Sequence, residues 1–432
     1  MLIELNEINF DIVSSYLKNK PGRFPGFEKC FAGKLIRTSS EKNYKHLEPW
    51  IQWPSVHSGE DFAAHKIFRL GDVVHSSIPQ IFEEVENKGY RVGVVSAMNV
   101  SNRLKSPSYF LPDPWTQTHS DSNVWSRLIH SAVSQAVNDN SNNKITLRSV
   151  LYLIISFARF ARLKHYLSYF RLAFFSGNAS WRKAIFLDLL IHDFHLSRLN
   201  STKTEFSTVF FNAGAHIQHH YLFNCKYLPK TFNSMNPSWY ISAKEDPIGE
   251  MLEVYDSILT ELLDVNDIEV IVATGLSQKP YDKIKYYYRL RDHGSFLGKI
   301  GVNFKLVIPR MTRDFLIEFS SAREAVAGQM ILNRVEVKGA GKKLFAEIEN
   351  RGTSLFVTLT YPDEITVDTL VSLDGMDFLL LPNVAFVALK NGMHQEKGYA
   401  YFSDGVKKYA PAEGAHVKEI YFCIKRFFGI TI

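Results

Sequence analysis

Three histidines crowd the segment A-H-I-Q-H-H, where His216, His219 and His220 follow the apolar run F-S-T-V-F-F-N at residues 206–212. An imidazole at the end of a buried strand can bind a metal ion such as zinc through either ring nitrogen. It can equally be a hydrogen-bonded residue of a binding pocket. These residues therefore mark a candidate site, and both alternatives stay open at this point.

A second group of reactive side chains lies around P-W-I-Q-W-P-S-V-H-S-G, which follows Glu48. The rigid and aromatic neighbours of Glu48 are typical of a pocket wall. A carboxylate and an imidazole can exchange protons with a substrate, and a serine hydroxyl can attack it. Glu48, Ser55 and His57 are accordingly candidate catalytic residues, with Glu48 and His219 as a potential acid/base pair. The alternative for Ser55 is a helix-capping hydroxyl.

Aromatic and cationic side chains offer candidate substrate contacts. Trp50 and Trp53 could stack on a sugar or a base, and the alternative is a role in the core. Arg310 and Arg313, in P-R-M-T-R-D-F, could hold a phosphate or a carboxylate, and the alternative is a salt-bridged turn beside Asp314. His216 and His220 join them as candidate substrate-binding residues.

Near-continuous apolar runs predict the strands that position these residues. Such runs alternate with helical periodicity, which predicts an α/β fold with a mostly parallel sheet covered by helices on both faces. Gly89 is expected to end one helix, and Pro247 suits the first turn of another. The predicted strands cover residues 2–6, 90–96, 206–212 and 268–274.

Changes in composition predict four segments along the chain. Residues 1–120 and 201–300 form the two parts of the α/β core, and residues 121–200 form a helical insertion between them. Short strands in residues 301–432 predict a β-rich C-terminal portion that completes the core.

The insertion is basic and aromatic, which leaves two interpretations of residues 148–176. It is a helical layer packed over the sheet, or an amphipathic surface that contacts lipid headgroups or a lipid-linked substrate. In the second case Arg159, Arg162, Lys164 and Arg171 would carry the contact. The most apolar stretch, residues 150–158, is about half of the ~20 residues that a membrane-spanning helix needs.

Composition sets the broad class of protein. The chain has 432 residues, a formal net charge of +6 and three widely spaced cysteines. The charge is spread along the chain, so a small-molecule substrate is expected and a nucleic-acid partner is not. The odd number of cysteines suits reduced thiols, and the N-terminus lacks the pattern of a secretory signal. A cytoplasmic protein, with potential membrane association, is the expectation.

Several segments, in order, resemble the alkaline phosphatase superfamily, in particular its type I phosphodiesterase and nucleotide pyrophosphatase branch. L-I-E-L-N-E-I-N-F-D resembles the first strand, and Ser58, Gly59 and His65 match the segment after the nucleophile, with Trp53 at a common aromatic position. A-H-I-Q-H-H-Y-L resembles an Asp-x-x-x-His motif with His219 at the metal-ligand position. M-H-Q-E-K-G resembles the last ligand segment, with His394.

The resemblance implies an alkaline-phosphatase-like fold that acts on phosphoesters with bound divalent metal, and the chain departs from it at several positions. Asn6-Glu7 stands where the superfamily has Asp-Gly, and Asn or Glu can bind a hard cation. Pro49 occupies the nucleophile position, Ala215 replaces the motif Asp, and the strand end A-T-G-L-S-Q lacks its Asp-His pair.

These departures favour one Zn²⁺ or Mn²⁺ ion rather than two, or no ion at all. The implied ligands are His219 and His394, joined by candidates from Asn6, Glu7, Asp292 and His293. Asp292 and His293 belong to a literal R-D-H-G at residues 291–294, whose position also suits a helix terminus.

Two functions follow. The first is an enzyme with a non-standard site that acts on a phosphoester, a nucleotide-sugar or a lipid-linked phosphate. Surface polysaccharide metabolism is one process in which it could act. The second is a non-hydrolytic descendant of the same fold, either transferase-like or a glycan- or nucleotide-binding protein.

Overall fold

A computed structural model describes residues 1–138, 146–174, 179–310 and 313–431. The chain forms two compact units. The larger comprises Met1–Gln135, Thr146–Tyr281 and Gly392–Ile432, and the smaller comprises Ala136–Ile145 and Asp282–Asn391.

Fifteen α-helices lie in the described residues. They are α1 (Phe10–Asn19), α2 (Pro25–Ala32), α3 (Pro49–Ser58), α4 (Phe62–His65), α5 (Ile81–Asn87), α6 (Val124–Asn138), α7 (Leu147–Phe160), α8 (Tyr166–Phe174), α9 (Trp181–Ser201), α10 (Ala213–Tyr221), α11 (Lys230–Asn233), α12 (Pro247–Leu263), α13 (His293–Lys299), α14 (Ala322–Leu332) and α15 (Glu419–Phe427).

Seventeen strands accompany them in the same residues. They are β1 (Leu2–Leu5), β2 (Lys34–Ser39), β3 (Val92–Val95), β4 (Tyr109–Leu111), β5 (Phe206–Phe211), β6 (Ile271–Ala273), β7 (Ser277–Leu290), β8 (Leu306–Pro309), β9 (Asp314–Glu318), β10 (Glu336–Val337), β11 (Lys342–Lys343), β12 (Glu347–Asn350), β13 (Ser354–Thr358), β14 (Leu370–Leu373), β15 (Met376–Leu379), β16 (Val384–Gln395) and β17 (Lys397–Phe402).

A seven-stranded sheet forms the centre of the larger unit, in the order β2-β17-β6-β1-β5-β3-β4. Strands β6, β1, β5, β3 and β4 are parallel, with Leu2 opposite Thr208 on one side and Ile271 on the other. β17 runs antiparallel to β6 and β2. The four predicted strands are the four central parallel ones, which confirms the predicted fold class.

Helices cover both faces of this sheet, as the apolar character of its strands requires. On one face α3, α5 and α15 enclose a core built around Trp53, Phe82, Phe210 and Ile420. On the other face α9, α10 and α12 pack on one another and on β5. The two predicted helix ends are present, since Gly89 adopts φ +101° after α5 and Pro247 is the first residue of α12.

The predicted insertion is helical and contains α6 to α9. Its long helix α9 packs on β5, α10 and α12, and the larger unit contains the insertion except for Ala136–Ile145. Residues 175 and 176, at the end of the stretch expected to contact lipid, lie outside the described residues. Within the described residues, no helix is both long enough and apolar enough to span a membrane.

The smaller unit has its own apolar core and two four-stranded sheets, in the orders β12-β13-β9-β8 and β11-β10-β14-β15. The β-rich segment therefore starts at Asp282 and stops at Asn391. After it the chain returns to the larger unit, where β17 joins the main sheet and α15 covers it.

Candidate metal centre

The ends of four strands meet at one edge of the main sheet. Glu7 follows the carboxyl end of β1, and His219 lies on α10, which begins after β5. His394 lies at the end of β16, directly before the antiparallel β17. In a parallel sheet the carboxyl ends of the strands share one edge, and binding sites form there. Because β17 runs the opposite way, its beginning reaches this same edge.

Three potential ligand atoms form a small triangle there. Glu7 Oε2 lies 3.0 Å from His394 Nε2 and 3.2 Å from His219 Nε2, and the two imidazole nitrogens are 3.2 Å apart. Glu7 and His394 are buried, while His219 keeps 18% of its side chain exposed. The structure therefore brings together three of the predicted metal ligands.

Glu7 has an unusual backbone conformation. Its φ is +62°, in the left-handed region that costs a residue with a Cβ about 1 kcal/mol or more. The position is held because Glu7 N donates to Thr274 O at 3.1 Å and Glu7 O accepts from Gln218 Nε2 at 2.8 Å. Strain of this kind persists where surrounding contacts fix the chain, and it directs the carboxylate into the triangle.

The two neighbouring histidines favour the ionised form of Glu7. Burial alone would raise the pKa of this carboxyl, but His394 and His219 outweigh burial and hold the pKa well below its usual range. Gln278 Nε2 also donates to Glu7 Oε2 at 2.5 Å, and Asn6 Nδ2 lies 3.4 Å from Oε1. A carboxylate in this form can bind a cation.

The outer nitrogen of each histidine faces an oxygen atom. His219 Nδ1 lies 3.4 Å from Gly392 O, and His394 Nδ1 lies 3.5 Å from Glu48 Oε2. An acceptor beside Nδ1 favours a proton on that nitrogen and leaves the Nε2 lone pair for a metal, which is the usual arrangement around metal-binding histidines. Gly392 permits this approach, because a Cβ there would lie 2.3 Å from Gln218 O.

The triangle has nearly the dimensions of a ligand set for a divalent ion. In a tetrahedral zinc site with bonds of about 2.0–2.1 Å, adjacent ligand atoms lie roughly 3.3–3.4 Å apart, slightly more than the distances observed here. Three atoms in a closed triangle cannot all make straight hydrogen bonds to one another, because hydrogen bonds weaken steeply when they bend. Two imidazoles and one carboxylate are also a common set of zinc ligands.

Glu48 is the residue just before α3 and joins the edge of this cluster. It is the N-cap residue of the helix, and 30% of its side chain is exposed. The sequence predicted Glu48 and His219 as an acid/base pair, whereas in the structure Glu48 Oε2 lies 3.5 Å from His394 Nδ1. Pro49, the first residue of α3, has no side-chain nucleophile and no backbone N–H.

The structure does not bring Ser55 and His57 to the cluster. With a rise of 1.5 Å per residue, Ser55 lies about 9 Å along α3 from its first residue. Its hydroxyl is buried 3.1 Å from His65 Nε2. His57 Nε2 lies 2.9 Å from Glu4 Oε1, and both side chains are almost fully buried in the core. Neither residue reaches Glu48, because two turns of α3 separate them from the helix start.

Trp53 and Asn6 form hydrogen bonds next to the site. Trp53 is fully buried, and its Nε1 donates to Asn6 Oδ1 at 2.8 Å, while Asn6 Nδ2 donates to Asn212 Oδ1 at 2.9 Å. These bonds occupy Asn6 with protein partners. Trp50 Nε1 donates to Phe68 O at 2.9 Å.

The other two histidines of the segment lie beside His219. His216 is exposed on the preceding turn of α10, and its ring centroid lies 4.8 Å from that of His220. Among the described residues, His219 belongs to a group of side chains that could hold a metal ion, whereas His216 and His220 belong to no such group.

Four predicted site residues belong to the smaller unit. Asp292 caps α13, where its Oδ1 accepts from Ser295 N at 2.9 Å, so R-D-H-G is a helix terminus. His293 packs against Phe315, and burial lowers its pKa to about 4. Arg313 Nη1 donates to Leu359 O and its guanidinium lies over Tyr287, while Arg310 N donates to Asp314 O.

Two glutamines of the site were missed by sequence reasoning. Gln278, the second residue of β7, stands where the resemblance implies an Asp-His pair, and it contacts both Glu7 and Ala215 O. Gln218 precedes His219 and holds the backbone of Glu7 and Asn9. Their signal was positional, since both lie where the resemblance places metal-binding segments.

No family model matches the chain, and no curated protein matches it. Among solved structures, the chain is similar to phosphonoacetate hydrolase from Sinorhizobium meliloti 1021, with 12% identity, 99% of this chain and 95% of that chain covered, and a TM-score of 0.44.

Two further solved structures are similar over the full length of this chain. Murine ectonucleotide pyrophosphatase/phosphodiesterase 5 has 10% identity, 95% of its chain covered and a TM-score of 0.42. Alkaline phosphatase from the Antarctic bacterium TAB5 has 12% identity, 98% of its chain covered and a TM-score of 0.40.

Proposed function

We propose that this protein is a phosphoester-directed enzyme that uses one divalent cation, Zn²⁺ or Mn²⁺, held by Glu7, His219 and His394. The observation that carries the proposal is the triangle of Glu7 Oε2, His219 Nε2 and His394 Nε2, with sides of 3.0–3.2 Å. Three protein ligands leave a position for substrate, which is the pattern of catalytic rather than structural zinc sites.

A bound divalent ion would polarise a phosphoryl oxygen and neutralise its charge. The protein residues supply the remaining requirements. Glu7 contributes the negative charge that attracts the cation, and Gln278 and Asn6 hold its carboxylate in place. His219 is the most exposed of the three ligands, so substrate is expected to approach from its side.

The proposed reaction has no covalent enzyme intermediate. Pro49 at the nucleophile position cannot attack phosphorus, and Ser55 is buried against His65. A water molecule would therefore be the nucleophile. Glu48 is partly exposed beside His394, and it is the group placed to orient that histidine or to accept a proton from water. Phosphoesters, nucleotide-sugars and lipid-linked phosphates are the substrate classes proposed.

A non-hydrolytic descendant of the fold is the second candidate. The observation that favours it is the neutral side chain of Gln278, which contacts Glu7 where the superfamily resemblance implies a second set of charged ligands. Such a site would bind a phosphorylated ligand or transfer a group without hydrolysis, and it would keep the cation.

Metal titration with matched variants tests the proposal. After treatment with a chelator, the protein is titrated with Zn²⁺ and Mn²⁺ by calorimetry, and hydrolysis of bis(p-nitrophenyl) phosphate and p-nitrophenyl phosphate is then measured. We expect one ion per chain, and we expect His219→Ala and His394→Ala to lower affinity by at least about 100-fold.

His216→Ala is the matched control, because it removes an exposed histidine from the same helix one turn earlier. It should bind metal as the wild type does. Metal binding that is unchanged in His219→Ala would refute the site. One bound ion without turnover of either ester would support the non-hydrolytic candidate instead.

A further inference from the structure

Helices α7 and α8 expose a large apolar surface. On α7 the exposed large side chains are Leu147, Val150, Leu151, Ile154 and Ile155. After α7 the exposed ones are Leu163, Tyr166, Leu167, Phe170 and Phe174, with Leu163, Leu167 and Phe174 exposed by 82%, 85% and 74%. The spacing of three and four residues places each set on one side of its helix. We call these ten residues the apolar face.

Helix α7 turns a partly polar side towards the protein. Ser149, Ser156 and Phe160 are buried on its inner side, while Leu151 and Ile154 are exposed. The Ser156 hydroxyl is buried without a hydrogen-bond partner among the described residues. An amphipathic helix in water normally turns its leucines inward. Helix α7 instead exposes several of its large apolar side chains.

An ionic cluster fixes the orientation of α8. His165, just before this helix, lies 2.7 Å from Asp193 Oδ1 through Nδ1 and 2.6 Å from Glu261 Oε1 through Nε2. Tyr169 donates to Asp193 at 2.8 Å. Rotating α8 to bury Leu167 would break these buried charged contacts, which is strongly unfavourable.

The charged side chains of Lys and Arg within residues 147–174 all carry the same sign. Residues 147–174 contain five Arg or Lys residues and no Asp or Glu. Glu261 pairs with Arg162 and Lys164, and Glu250 pairs with Arg171. Arg148 and Arg159 lie over the aromatic rings of Tyr152 and Trp125 instead. A surface of exposed leucines and phenylalanines with cations at its border suits an anionic lipid layer.

We propose that the apolar face of α7 and α8 is a docking surface for anionic lipid bilayers, on which Leu163, Leu167, Phe170 and Phe174 enter the boundary between headgroups and acyl chains. This differs from the contact expected from sequence alone. There the basic residues carried the binding, whereas in the structure three of the five are paired with glutamates and the apolar side chains are exposed. The proposal does not depend on the metal centre or on hydrolysis.

Vesicle sedimentation tests the docking surface. The full chain is mixed with vesicles of phosphatidylcholine that contain about 30–40% phosphatidylglycerol, whose headgroup is anionic. It is mixed separately with pure phosphatidylcholine vesicles. We expect binding to the anionic vesicles and weaker binding to the neutral ones. Leu163→Glu with Leu167→Glu should reduce the partition coefficient by on the order of tenfold or more, because two apolar contacts are replaced by charges of the wrong sign.

A matched double variant is available on α14, where Val326 and Met330 are exposed and four residues apart like Leu163 and Leu167. Val326→Glu with Met330→Glu should bind vesicles as the wild type does, and circular dichroism should show that all variants are folded. The proposal is overturned if the wild type does not sediment with anionic vesicles, or if both double variants lose binding equally. It is also overturned if light scattering shows a dimer that only Leu163→Glu with Leu167→Glu dissociates while vesicles bind neither form.

Discussion

At the scale of single residues, the candidate metal centre depends on the sequence position of one carboxylate, that of Glu7. The resemblance puts an Asp-Gly pair at Asn6-Glu7, so the acidic group has moved by one position. Glu7 occupies the left-handed conformation that a glycine would adopt without cost, and Asn6 holds Trp53 and Asn212. The strained backbone is what lets a glutamate at this position reach the two histidines.

A pair of substitutions at Glu7 separates backbone strain from metal binding. Glu7→Gly and Glu7→Ala both remove the carboxylate, and both should abolish detectable metal binding. Glu7→Gly should be the more stable by up to about 1 kcal/mol, because only alanine pays for φ +62°. Urea unfolding checks the difference, and equal stability of the two variants would contradict the strained conformation.

The role of Glu48 can be resolved by a conservative change. If Glu48 orients His394 through Nδ1, Glu48→Ala should lower metal affinity by about 10–100-fold, and Glu48→Gln should recover part of it through the amide oxygen.

The same variants test Glu48 as a proton acceptor. In that case Glu48→Gln should keep metal affinity and KM but lose kcat by about 100-fold. Calorimetry together with the kcat and KM of the metal-loaded variants distinguishes the two roles.

At the scale of elements, α8 and α12 are joined by buried charges. Burial alone would lower the pKa of His165, but Asp193 and Glu261 outweigh burial and raise the pKa to about 9. Glu261 also accepts from His192 Nε2 at 3.2 Å and pairs with Lys164 at 2.7 Å. His165, His192 and Glu261 have the spacing of a metal site, yet the Arg and Lys partners of Glu261 already neutralise it. We interpret the cluster as an attachment of the insertion to the core.

The raised pKa of His165 predicts how stability varies with pH. A group whose pKa is higher in the folded state than its usual value of 6.5 stabilises the fold fully below that value. The contribution then decreases as pH rises through about 9. His165→Gln should cost about 3 kcal/mol near neutral pH and flatten this dependence. Unfolding free energies between neutral and alkaline pH measure it, and an equally steep decrease in the variant would contradict the assignment.

At the scale of the whole molecule, the three proposed ligands come from distant parts of the sequence but from one compact unit. Glu7, His219 and His394 all lie in the larger unit, and the smaller unit, Asp282–Asn391 with Ala136–Ile145, has a separate core. A ligand that binds only the folded state stabilises it in proportion to the logarithm of its concentration.

We therefore expect cation binding to stabilise the larger unit selectively. At a free metal concentration about 100 times the dissociation constant, the gain is about 2.7 kcal/mol. Hydrogen exchange should slow in β1, β5 and α10 and stay unchanged in β9 and β13 of the smaller unit. His219→Ala should remove the effect. Slower exchange confined to residues 282–391 would show that the ion binds elsewhere.

The sequence by itself determined the central sheet and the order of its elements. Near-continuous apolar runs at β1, β3, β5 and β6 favour burial on both faces, which is typical of a parallel sheet with covering helices. The position of His219 after β5 and of Glu7 after β1 then placed both at the same edge of the sheet. Asp292 was also recognisable as a helix cap from its position beyond the strand.

Only the tertiary structure decided which side chains meet. Glu7 and His394 are 387 residues apart by their numbers, and their contact depends on the left-handed turn at Glu7 and on the return of β17 to the sheet. Ser55 and His57 lie on α3, the helix that follows Glu48, but they point into the core. There Ser55 contacts His65 and His57 contacts Glu4. The exposure of Leu163 and Leu167 could not be predicted from the sequence either. Amphipathic periodicity gives a helix two faces, and buried charged contacts such as those of His165 decide which face turns to the solvent.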